Sequence, residues 1–421
     1  MKQYLIIGNS AAGISAVEAI RAKDKTSKIT IISDEDYPSY CRCLISYYLA
    51  GDIKEEKILL RPDAFYKENN IELILNKRVD RVNPKKNQVV CVDKTLINYD
   101  TLLIATGARP KFPEIKGIKK TGVFGFRTIQ DAKKISEQVN LIKSACVLGG
   151  GLVGLKAAYG LKKRKVDVKV IVKSKQILSQ MLDAQAASMV QKRLEENGID
   201  VILGRDITEV IGEGEMKAVK LDSGKALECS LLVVGKGVQP NMELVKETEI
   251  KVGEGIITGK DLKTNVENIF SAGDVCENYD LTLGKPSINA LWPVAVEQGK
   301  AAGSNMAGEN IIYDGSLGMN SIEFFGLPVI SLGIYKVDEA SKDYEVIKVI
   351  DDKANLYKKI VLHNNNLVGA VFAGDIRNSG VFLKLIKERV DVTPFKDKLL
   401  EENFGFPGII DFLKDKERIY V

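Results

Sequence analysis

The amino-acid sequence predicts an α/β fold in which two βαβ units occur in one chain and a C-terminal α+β domain follows them. The first observation is an internal repeat, in which an apolar strand runs through a glycine-rich turn into a helix of small residues. The second is that each copy continues into another apolar strand. The third is a change, from about residue 319, to shorter strands and one helix near 380–390. The repeated segments are 2–20 and 144–161, and the strands that follow them are 28–33 and 168–172.

The composition is that of an ordinary soluble protein with more than one domain. A chain of 421 residues is too long for a single hydrophobic core, so two to four domains are expected. The 61 basic and 56 acidic residues are mixed along the chain, which favours neither a nucleic-acid partner nor a membrane surface. The first residues run directly into a strand, and no apolar run approaches the length of a membrane span. The expected location is the cytoplasm.

The numbers and positions of cysteine and histidine residues disfavour several catalytic mechanisms. The six cysteines are scattered, with neither a CxxC pair nor the spacing of metal ligands, so we expect no metal site and mostly reduced, buried thiols. His363, the single histidine, lies in an apparent strand and is interpreted as a structural or surface residue. A Ser-His-Asp triad and a histidine-ligated metal centre are therefore disfavoured.

The turn of the first βαβ unit has the pattern of a dinucleotide-binding fingerprint. Gly8 permits the tight turn, and Gly13 lets the helix approach its strand. The middle position is Ser10, whose hydroxyl can itself donate to a phosphate. The helix then begins near Ala11 and Ala12, so its free N–H groups and positive dipole end are expected to face a pyrophosphate.

The second unit carries the complete GxGxxG pattern. Gly149, Gly151 and Gly154 lie between a strand and a helix, which is the context that this fingerprint requires. Leu152 and Val153 open the helix, next to the expected pyrophosphate. Two such units in one chain predict two dinucleotide sites.

The residues at the end of the second strand of each unit are the ones expected to contact the adenosine ribose. In the first unit, Asp34 and Glu35 stand where an acid accepts ribose hydroxyls, and the spacing favours Glu35. In the second unit this position reads Lys173-Ser174-Lys175, without a carboxylate that would repel a 2′-phosphate. The two lysines bind such a phosphate or form a solvated basic turn, so NADH and NADPH both stay open, with a slight preference for NADPH.

Three further segments complete an ordered set of motifs that covers almost the whole chain. They are 105–107 (Ala-Thr-Gly), 270–274 (Phe-Ser-Ala-Gly-Asp) and the loop 37–51. With them, the chain resembles the FAD/NAD(P)-dependent pyridine nucleotide-disulfide oxidoreductase superfamily. Within it, the chain is most similar to NAD(P)H:rubredoxin oxidoreductases and to the flavin-binding N-terminal part of nitrite reductase large subunits. This resemblance implies two Rossmann-like domains in a glutathione-reductase-like arrangement, with FAD and NAD(P)H as cofactors.

The resemblance also implies roles for individual residues. Asp274 would accept hydrogen bonds from the ribityl or pyrophosphate part of FAD, and Arg42 would lie near the FAD phosphates. Trp292 would begin the helix that backs the flavin ring. A surface position for Arg42 and ordinary core packing for Trp292 remain open alternatives. The remaining cofactor-contact candidates are Ala105, Thr106, Gly107, Gly237 and Gly273.

The domain division follows from the order of the motifs. We expect a discontinuous FAD-binding domain at 1–110 and 241–318, with an NAD(P)-binding domain at 111–240 inserted between its two parts. A C-terminal α+β interface domain is expected at 319–421.

One pair of positions departs from the family pattern. In the similar reductases, a glutamate on the helix after the second fingerprint often pairs with a lysine in the flavin-side loop. This chain has Lys156 at the glutamate position and Tyr47 at the lysine position. The role of that ion pair in nicotinamide binding therefore does not carry over directly.

Cys43 is the candidate catalytic residue, with two interpretations. Its loop can be aligned with the single-cysteine loop of CoA-disulfide reductases, NADH oxidases and peroxidases, in which a thiolate lies beside the flavin. It also fits the rubredoxin-reductase loop, which works without a cysteine there. Cys41 is two residues away, and in an extended loop its side chain would point the other way and strain a disulfide.

The predicted function is an FAD-dependent NAD(P)H oxidoreductase that exchanges electrons with a small iron–sulfur protein: rubredoxin, ferredoxin or a ferredoxin-like subunit. One alternative is a Cys43-dependent CoA-disulfide or peroxide reductase, or an NADH oxidase. Another is a flavin-bearing docking subunit of a larger redox complex. The acceptor, the direction of electron flow and the oligomeric state, including a homo-oligomer, stay open.

Overall fold

The structure is a computed structural model that describes residues 2–402 and 404–409. It confirms the α/β class, with parallel sheets in the two βαβ regions and an antiparallel sheet near the C-terminus. The chain forms two compact units. One contains the described residues up to Ile171 together with Arg205–Ser316, and the other contains Val172–Gly204 with the described residues from Leu317 onward. The three-domain division stays a prediction.

The helices alternate with strands in the first three quarters of the chain. None of the helices in the described ranges is long and apolar enough to cross a membrane. The α-helices of the described residues are α1 (Ala11–Lys23), α2 (Ile45–Ala50), α3 (Asp63–Glu68), α4 (Ile129–Val139), α5 (Leu152–Lys163), α6 (Ala184–Glu196), α7 (Trp292–Met306) and α8 (Ser379–Lys387).

The strands are short and numerous. They are β1 (Gln3–Ile7), β2 (Lys28–Ile32), β3 (Ile71–Ile74), β4 (Val79–Asn83), β5 (Gln88–Cys91), β6 (Leu96–Asn98), β7 (Thr101–Ile104), β8 (Ala108–Pro110), β9 (Val123–Phe124), β10 (Ser144–Leu148), β11 (Asp167–Val172), β12 (Ile199–Leu203), β13 (Ile207–Ile211), β14 (Ala218–Leu221), β15 (Ala226–Glu228), β16 (Leu231–Val234), β17 (Val238–Pro240), β18 (Ile256–Ile257), β19 (Ile269–Ser271), β20 (Cys276–Asp280), β21 (Lys285–Ser287), β22 (Met319–Phe324), β23 (Leu327–Gly333), β24 (Glu345–Asp351), β25 (Leu356–His363) and β26 (Asn366–Ala373).

The first parallel sheet has the strand order β19-β7-β1-β2-β3. Its central strands are continuous apolar runs, buried on both faces, as expected for a parallel sheet covered by other elements. The strand order reverses between β1 and β7, because β1 is followed by β2 on one side while the chain returns to β7 on the other. Ligands of open α/β sheets bind at the carboxyl ends of the strands at such a switch point.

Helices α1 and α7 pack on one face of this sheet with their backbones almost touching. A Cβ placed on Gly299 would lie 2.3 Å from the Ala12 carbonyl oxygen, and one on Gly303 would lie 2.3 Å from that of Ala16. Small residues four positions apart on both helices make this close approach possible. The contact fixes the start of α1 relative to the segment that follows β19.

The second parallel sheet repeats the first in the order β11-β10-β16-β9 within the first unit. Each βαβ region also contains a three-stranded antiparallel meander, β4-β5-β6 in the first and β13-β14-β15 in the second. The segments after the glycine turns at 107 and 237 pair as an antiparallel ribbon, β8 with β17. The sequence pattern did not predict this ribbon, because a strand of three residues is too short to show an alternating apolar and polar pattern.

In the second unit, β22-β23-β26-β25-β24 form an antiparallel sheet with α8 after it, which confirms the α+β prediction for this part of the chain. Asp183 caps α6 by accepting from the Ala186 N–H at 3.1 Å. The same carboxylate accepts from the Tyr357 hydroxyl at 2.6 Å and lies 3.3 Å from the Lys359 ammonium. Lys359 is almost fully buried, and its charge there is balanced by Asp183 and by Glu339 at 3.4 Å.

Candidate functional site

Three turns meet at the carboxyl edge of the first sheet. They follow β1, β7 and β19, which are neighbours in the sheet. Gly8 has φ +121° and a Cβ there would lie 2.1 Å from the carbonyl oxygen of Ala105. A Cβ on Gly273 would be 3.2 Å from Cβ of Ala12. The close approach of these backbones explains the glycines and places the 105–107 and 272–274 turns beside the start of α1.

The start of α1 forms a cradle that fits a pyrophosphate. Ser10 occupies the N-cap, but its side chain makes no capping hydrogen bond within the described residues. Ala11, Ala12 and Gly13 are the first helical residues, and their N–H groups have no partner inside the helix. A Cβ on Gly13 would lie 2.0 Å from the Gly8 carbonyl oxygen, so only glycine lets the helix begin this close to β1. The chain therefore presents donors and a dipole end where the fingerprint requires them.

The turn after β7 is tied to the start of the segment after β17. The Thr106 hydroxyl donates to the Asn241 carbonyl oxygen at 2.8 Å, and the Asn241 side-chain amide donates to the Thr106 carbonyl oxygen at 2.9 Å. Gly107 adopts φ +63°, and no heavy atom of the described residues lies within 4 Å of the Cβ position there. Thr106 therefore has a structural partner, while Gly107 has an open face. Sequence reasoning missed Asn241, although it directly follows the repeated glycine-rich turn.

Asp274 forms a partly buried ion pair with Arg127, which lies 147 residues away in the chain. The side chains of Asp274 and Arg127 are 12% and 19% exposed. Nε of Arg127 is buried and has no hydrogen-bond partner among the described residues. The N–H of Gly273 donates to Oε1 of Gln298 at 2.8 Å, which holds the turn against α7. A buried guanidinium with a spare donor suits an anionic or oxygen-rich ligand.

Sequence reasoning missed Arg127. A signal exists beside it, because Thr128 and Asp131 form a reciprocal capping box at the start of α4. Arg127 is the residue before this cap, so its backbone direction is set by a local motif. Its pairing with Asp274 depends on the tertiary fold.

Glu35 and Arg42 form a second partly buried ion pair beside the first one. The Tyr40 hydroxyl donates to Glu35 at 2.7 Å and accepts from the Arg42 guanidinium at 2.9 Å. The N–H of Ile129 also donates to this hydroxyl, at 2.9 Å. Arg42 further donates to the Arg127 carbonyl oxygen at 3.2 Å, which joins the two ion pairs in one network. Burial is the largest cause that raises the pKa of Tyr40, so the hydroxyl stays protonated.

The structure distinguishes the two acids that were candidates for the adenosine ribose. Asp34 is exposed, whereas Glu35 is half-buried and both of its carboxylate oxygens already accept, one from Tyr40 and one from Arg42. Arg42 is thus a member of a buried network rather than a surface cation. Ribose binding by either acid stays a prediction.

The second fingerprint repeats the close approaches of the first. Gly149 has φ +118°, and a Cβ there would lie 2.3 Å from the Gly235 carbonyl oxygen. A Cβ on Gly154 would lie 2.3 Å from the Gly149 carbonyl oxygen. Gly151 is the N-cap of α5 and is exposed, with no heavy atom of residues 2–402 and 404–409 within 4 Å of its Cβ position. The outer glycines are needed for packing, and the middle one leaves space for a ligand.

The other predicted residues of the second nucleotide site lie on the surface. Leu152 is half-buried and Val153 is exposed in the first turn of α5. Gly237 has φ +88° and also lacks a described heavy atom within 4 Å of its Cβ position. Lys173 and Lys175 are exposed and directly follow β11 in the chain. All of these remain predictions as cofactor contacts.

Lys156 and Tyr47, the two positions that depart from the family pattern, are in contact. The ammonium of Lys156 donates to the Tyr47 hydroxyl at 3.0 Å and lies 4.7 Å from the centroid of its ring. It also lies 5.5 Å from the ring centroid of Tyr159. A cation–π and hydrogen-bonded contact therefore replaces the ion pair.

Trp292 is the first residue of α7 and is half-buried. Its ring packs against the core cluster formed by α1, α7 and the first sheet. This contact fits the core-packing interpretation, and contact with the flavin ring stays a prediction.

The cysteine loop differs from the expectation of an extended chain. Residues Arg42–Leu44 form a 3-10 turn, and Cys41 caps it. How the side chains of Cys41 and Cys43 point relative to each other stays a prediction. Side chains two positions apart share one face of an extended strand, whereas a helical turn directs them to different sides, so the reason given for that prediction is reversed.

Cys43 is exposed and Cys41 is partly exposed, while the other four cysteines are buried. The Arg42 guanidinium, on the residue before Cys43, donates to the Arg127 carbonyl oxygen at 3.2 Å, so the loop lies beside the ion pair of Arg127 with Asp274. In the described part of the chain, no group of three or more His, Cys, Asp or Glu side chains could hold a metal ion.

Comparison with known proteins gives two family matches. The family described as Pyridine nucleotide-disulphide oxidoreductase matches residues 2–299, and the family described as Rubredoxin NAD+ reductase C-terminal domain matches residues 319–390. Together they confirm the resemblance on which the sequence interpretation rests.

Three relatives illustrate the range of similar proteins. Nitrite reductase [NAD(P)H] of Bacillus subtilis is 34% identical over 93% of this chain and 48% of its own length, so the chain spans about half of that relative. The NADH-dependent phenylglyoxylate dehydrogenase subunit epsilon of Aromatoleum evansii is 31% identical over 94% of both chains. The structure of an NAD-dependent persulfide reductase from A. fulgidus is 26% identical, with a TM-score of 0.87, and covers 96% of this chain and 80% of that one.

Proposed function

Because the chain belongs to the pyridine nucleotide-disulphide oxidoreductase family, we propose that it carries electrons between a nicotinamide dinucleotide and a redox-protein partner such as rubredoxin or ferredoxin. The chain is an NAD(P)H oxidoreductase, and its cofactors are FAD and NAD(P)H. When both are bound, they supply hydride transfer between the nicotinamide and flavin rings. The protein's own contribution is to bind, orient and shield the two cofactors.

We assign the FAD to the edge where the turns after β1, β7 and β19 meet. The free N–H groups of Ala11, Ala12 and Gly13 would donate to its pyrophosphate, as the cradle at the start of α1 allows. Asp274 and the spare Nε donor of Arg127 would hold polar groups of the same cofactor from the turn after β19, at the same edge of the sheet. The Asp274 carboxylate balances the charge of the Arg127 guanidinium, so this cation is stable in the site before an anionic ligand binds.

We assign the nicotinamide dinucleotide to the start of α5. The backbone around Gly151 has open space above it and N–H groups that lack helical partners. The outer glycines of the fingerprint hold α5 against β10 and β16, so the donors are rigidly placed before any ligand arrives.

The observation that carries the choice of a protein partner is the similarity over 94% of both chains to a protein named as a dehydrogenase subunit. The match of residues 319–390 to the rubredoxin NAD+ reductase C-terminal domain supports it. None of the six cysteines falls on α1, so the chain lacks a redox dithiol on the first helix of its FAD region. The same observations also fit a flavin-bearing docking subunit of a larger redox complex.

The test is anaerobic reduction of the flavin-loaded protein by NADH and by NADPH, followed by addition of single acceptors. Rubredoxin, ferredoxin, ferricyanide and CoA disulfide would be compared at equal concentration. We expect reoxidation of the flavin by at least one iron–sulfur protein at a rate that exceeds its rate with CoA disulfide. Efficient turnover of CoA disulfide with no transfer to either iron–sulfur protein would contradict the proposal.

A second candidate function is a cysteine-dependent disulfide or persulfide reductase. The exposed thiol of Cys43 beside Arg127 and Asp274 favours it, as does the structural similarity to a persulfide reductase. A thiol intermediate would make disulfide turnover collapse in Cys43→Ser, because a hydroxyl is a poor replacement for a thiolate nucleophile. Disulfide turnover that survives this substitution would exclude the candidate.

A further inference from the structure

Lys236 lies in the turn that follows β16, at the same edge of the second parallel sheet as the second fingerprint. Strands β10 and β16 are paired in parallel, with Leu148 opposite Val234, so the residues after the two strands leave the sheet side by side. The N–H of Gly235 donates to the Leu148 carbonyl oxygen at 2.8 Å. A Cβ on Gly235 would lie 2.9 Å from Cα of Gly154, in the first turn of α5. Lys236 therefore directly follows a residue whose backbone lies against the proposed nucleotide-binding helix.

The turn at residues 235–237 repeats the turn at residues 105–107 of the first βαβ region. Each turn follows a buried apolar strand and ends in a glycine with positive φ, +63° in the first turn and +88° in the second. Each then leads into one strand of the β8–β17 ribbon. The middle residue is Thr106 in the first turn and Lys236 in the second. The repeat thus places a cation, instead of a hydroxyl, in the turn beside the start of α5.

An acid holds the side chain of Lys236. The ammonium lies 3.0 Å from Oδ1 of Asp206, and the two side chains are 23% and 24% exposed, so the cation is partly desolvated. Asp206 is the residue before β13, so this contact joins the turn to the start of the β13-β14-β15 meander. An ammonium has three N–H donors, and within the part of the chain that the structure describes Lys236 gives one of them to Asp206. The lysine therefore keeps donors for a ligand.

The chemistry of this arrangement suits an anion. Gly151, the N-cap of α5, is exposed and leaves open space beside N–H groups that have no helical partner. These N–H groups and the helix dipole supply only partial positive charge. A lysine adds a full positive charge on a flexible stem, which lets its ammonium follow a phosphate oxygen. The pyrophosphate is the anionic group that NAD(H) and NADP(H) share, whereas the 2′-phosphate belongs to NADP(H) alone.

We propose that Lys236 binds the pyrophosphate of the nicotinamide dinucleotide, and that Asp206 weakens this binding by balancing the charge of the ammonium. The inference rests on the proposed function, because it needs the nucleotide at the start of α5. Lys236 contacts the ligand, whereas Asp206 is a positioning residue that acts through the lysine.

The first experiment compares Lys236→Gln with wild type by calorimetric titration of the flavin-loaded protein. The probes are NAD+, NADP+ and ADP-ribose, which all carry the pyrophosphate and do not reduce the flavin. We expect the Kd of each probe to rise about 10-fold, the lower end for a charge-assisted contact because the side chain keeps some exposure. Lys236→Arg retains the charge and should keep each Kd within about threefold of wild type.

The three probes distinguish the parts of the ligand. A rise in Kd for NADP+ alone would assign Lys236 to the 2′-phosphate. A rise for NAD+ and NADP+, with ADP-ribose unaffected, would assign it to the nicotinamide half. Either result would overturn the proposal.

The second experiment uses Asp206→Asn to separate a ligand contact from a structural ion pair. The amide oxygen still accepts from Lys236, while the negative charge is removed, so the Kd of each probe should fall by about threefold. A purely structural ion pair predicts weaker binding in both single variants, because either change disturbs the same turn. Unchanged or weaker binding in Asp206→Asn, at the flavin absorbance of wild type, would overturn the proposal. If Lys236→Gln does not fold, this result and Lys236→Arg decide the question.

The matched control is Lys116→Gln, which removes the same charge from another lysine–acid pair of the meander. Lys116 lies 2.7 Å from Glu209 on β13, and its side chain is 80% exposed. The Kd of each probe and the flavin content should equal those of wild type. A rise in Kd as large as that of Lys236→Gln would mean that net charge controls binding, and it would overturn the proposal.

The same titrations separate this inference from the proposed function. If wild type binds none of the three probes, the proposed function fails and the role of Lys236 fails with it. If wild type binds all three and Lys236→Gln binds them equally well, the proposed function is unaffected and the role of Lys236 alone is overturned.

Discussion

Gly151→Ala should separate nicotinamide binding from folding, because this glycine is the member of the second fingerprint that has open space around it. Gly151 has φ −80°, which alanine adopts without strain, and a Cβ there meets no heavy atom of the described residues within 4 Å. The residue is exposed at the N-cap of α5, where alanine is less favourable than glycine. We therefore expect the free energy of unfolding to change by no more than about 1 kcal/mol.

The expected effect on the nucleotide is larger. A methyl group at this position occupies the space that we assign to the pyrophosphate and pushes it away from the helix N–H groups. Loss of one charge-assisted hydrogen bond costs about 1.5–3 kcal/mol. This corresponds to an increase of about 10- to 150-fold in the Kd of NADH or NADPH. The flavin content should not change, since the FAD is assigned to the other fingerprint.

The assays are urea unfolding followed by circular dichroism, bound flavin from its absorbance, and nucleotide affinity from an anaerobic titration. The matched control is Gly149→Ala, in which the added Cβ would lie 2.3 Å from the Gly235 carbonyl oxygen at a residue with φ +118°. That variant should fold poorly or lose several kcal/mol of stability, as expected for strain against backbone. If Gly151→Ala binds both nucleotides as wild type does, or if it loses its flavin, the assignment of the second site is wrong.

Three further predictions concern charges. Asp274→Ala leaves Arg127 as an unpaired, partly buried cation. We expect the free energy of unfolding in urea to fall by about 3 kcal/mol, the lower end for a buried pair because both side chains keep some exposure, and FAD absorbance to be lost. Full retention of the flavin would contradict this prediction. Changing Lys173 and Lys175 to glutamate should weaken NADPH binding far more than NADH binding in titrations, since each charge-assisted contact is worth about 1.5–3 kcal/mol. Equal effects on the two nucleotides would mean that neither lysine contacts the 2′-phosphate. Because the pKa of Cys41 is about 7, its alkylation by iodoacetamide should accelerate as pH rises to 7 and then level off, and a rate that still rises tenfold per pH unit at higher pH would refute this.

The local chemistry of both nucleotide sites could be predicted from residues that are close in the chain. The roles of Gly8, Gly13, Gly149 and Gly154 follow from the geometry of a strand, a turn and a helix, and the structure places a backbone atom where each side chain would otherwise lie. Gly13 and Gly154 meet backbone atoms of Gly8 and Gly149, five residues away, so for them the motif carries its own requirement, whereas Gly8 and Gly149 meet the distant turns at Ala105 and Gly235. The helix from Trp292 and the α+β character of the C-terminal part were also predictable from local sequence patterns, whereas the antiparallel pairing of its strands was not predicted.

Other features were outside the reach of a local pattern. The pairing of Asp274 with Arg127 joins residues on different elements, and it exists because β19 and the segment before α4 approach the same point. The contact of Lys156 with Tyr47 could not be predicted either, because a departure from the family pattern at two positions does not show that the two side chains touch. Cys41 and Cys43 are only two positions apart, yet the extended conformation assumed for their loop is wrong, since Arg42–Leu44 form a 3-10 turn held by hydrogen bonds and an ion pair with residues outside it.

The sequence by itself therefore determined the fold class and the two fingerprints, which follow from short-range periodicity and glycine positions. Its ordered set of motifs gave the resemblance to the family, and the cofactors followed from that resemblance. Only the tertiary structure decided which charges are buried together and which acid pairs with Arg42. The physical reason is that an ion pair depends on the order of strands in a sheet and on the path of the loops between them. Strand order and loop path arise from the packing of the whole unit and cannot be inferred from a local sequence pattern. In the packed unit, burial makes an unpaired charge costly, which is why the charged side chains pair there.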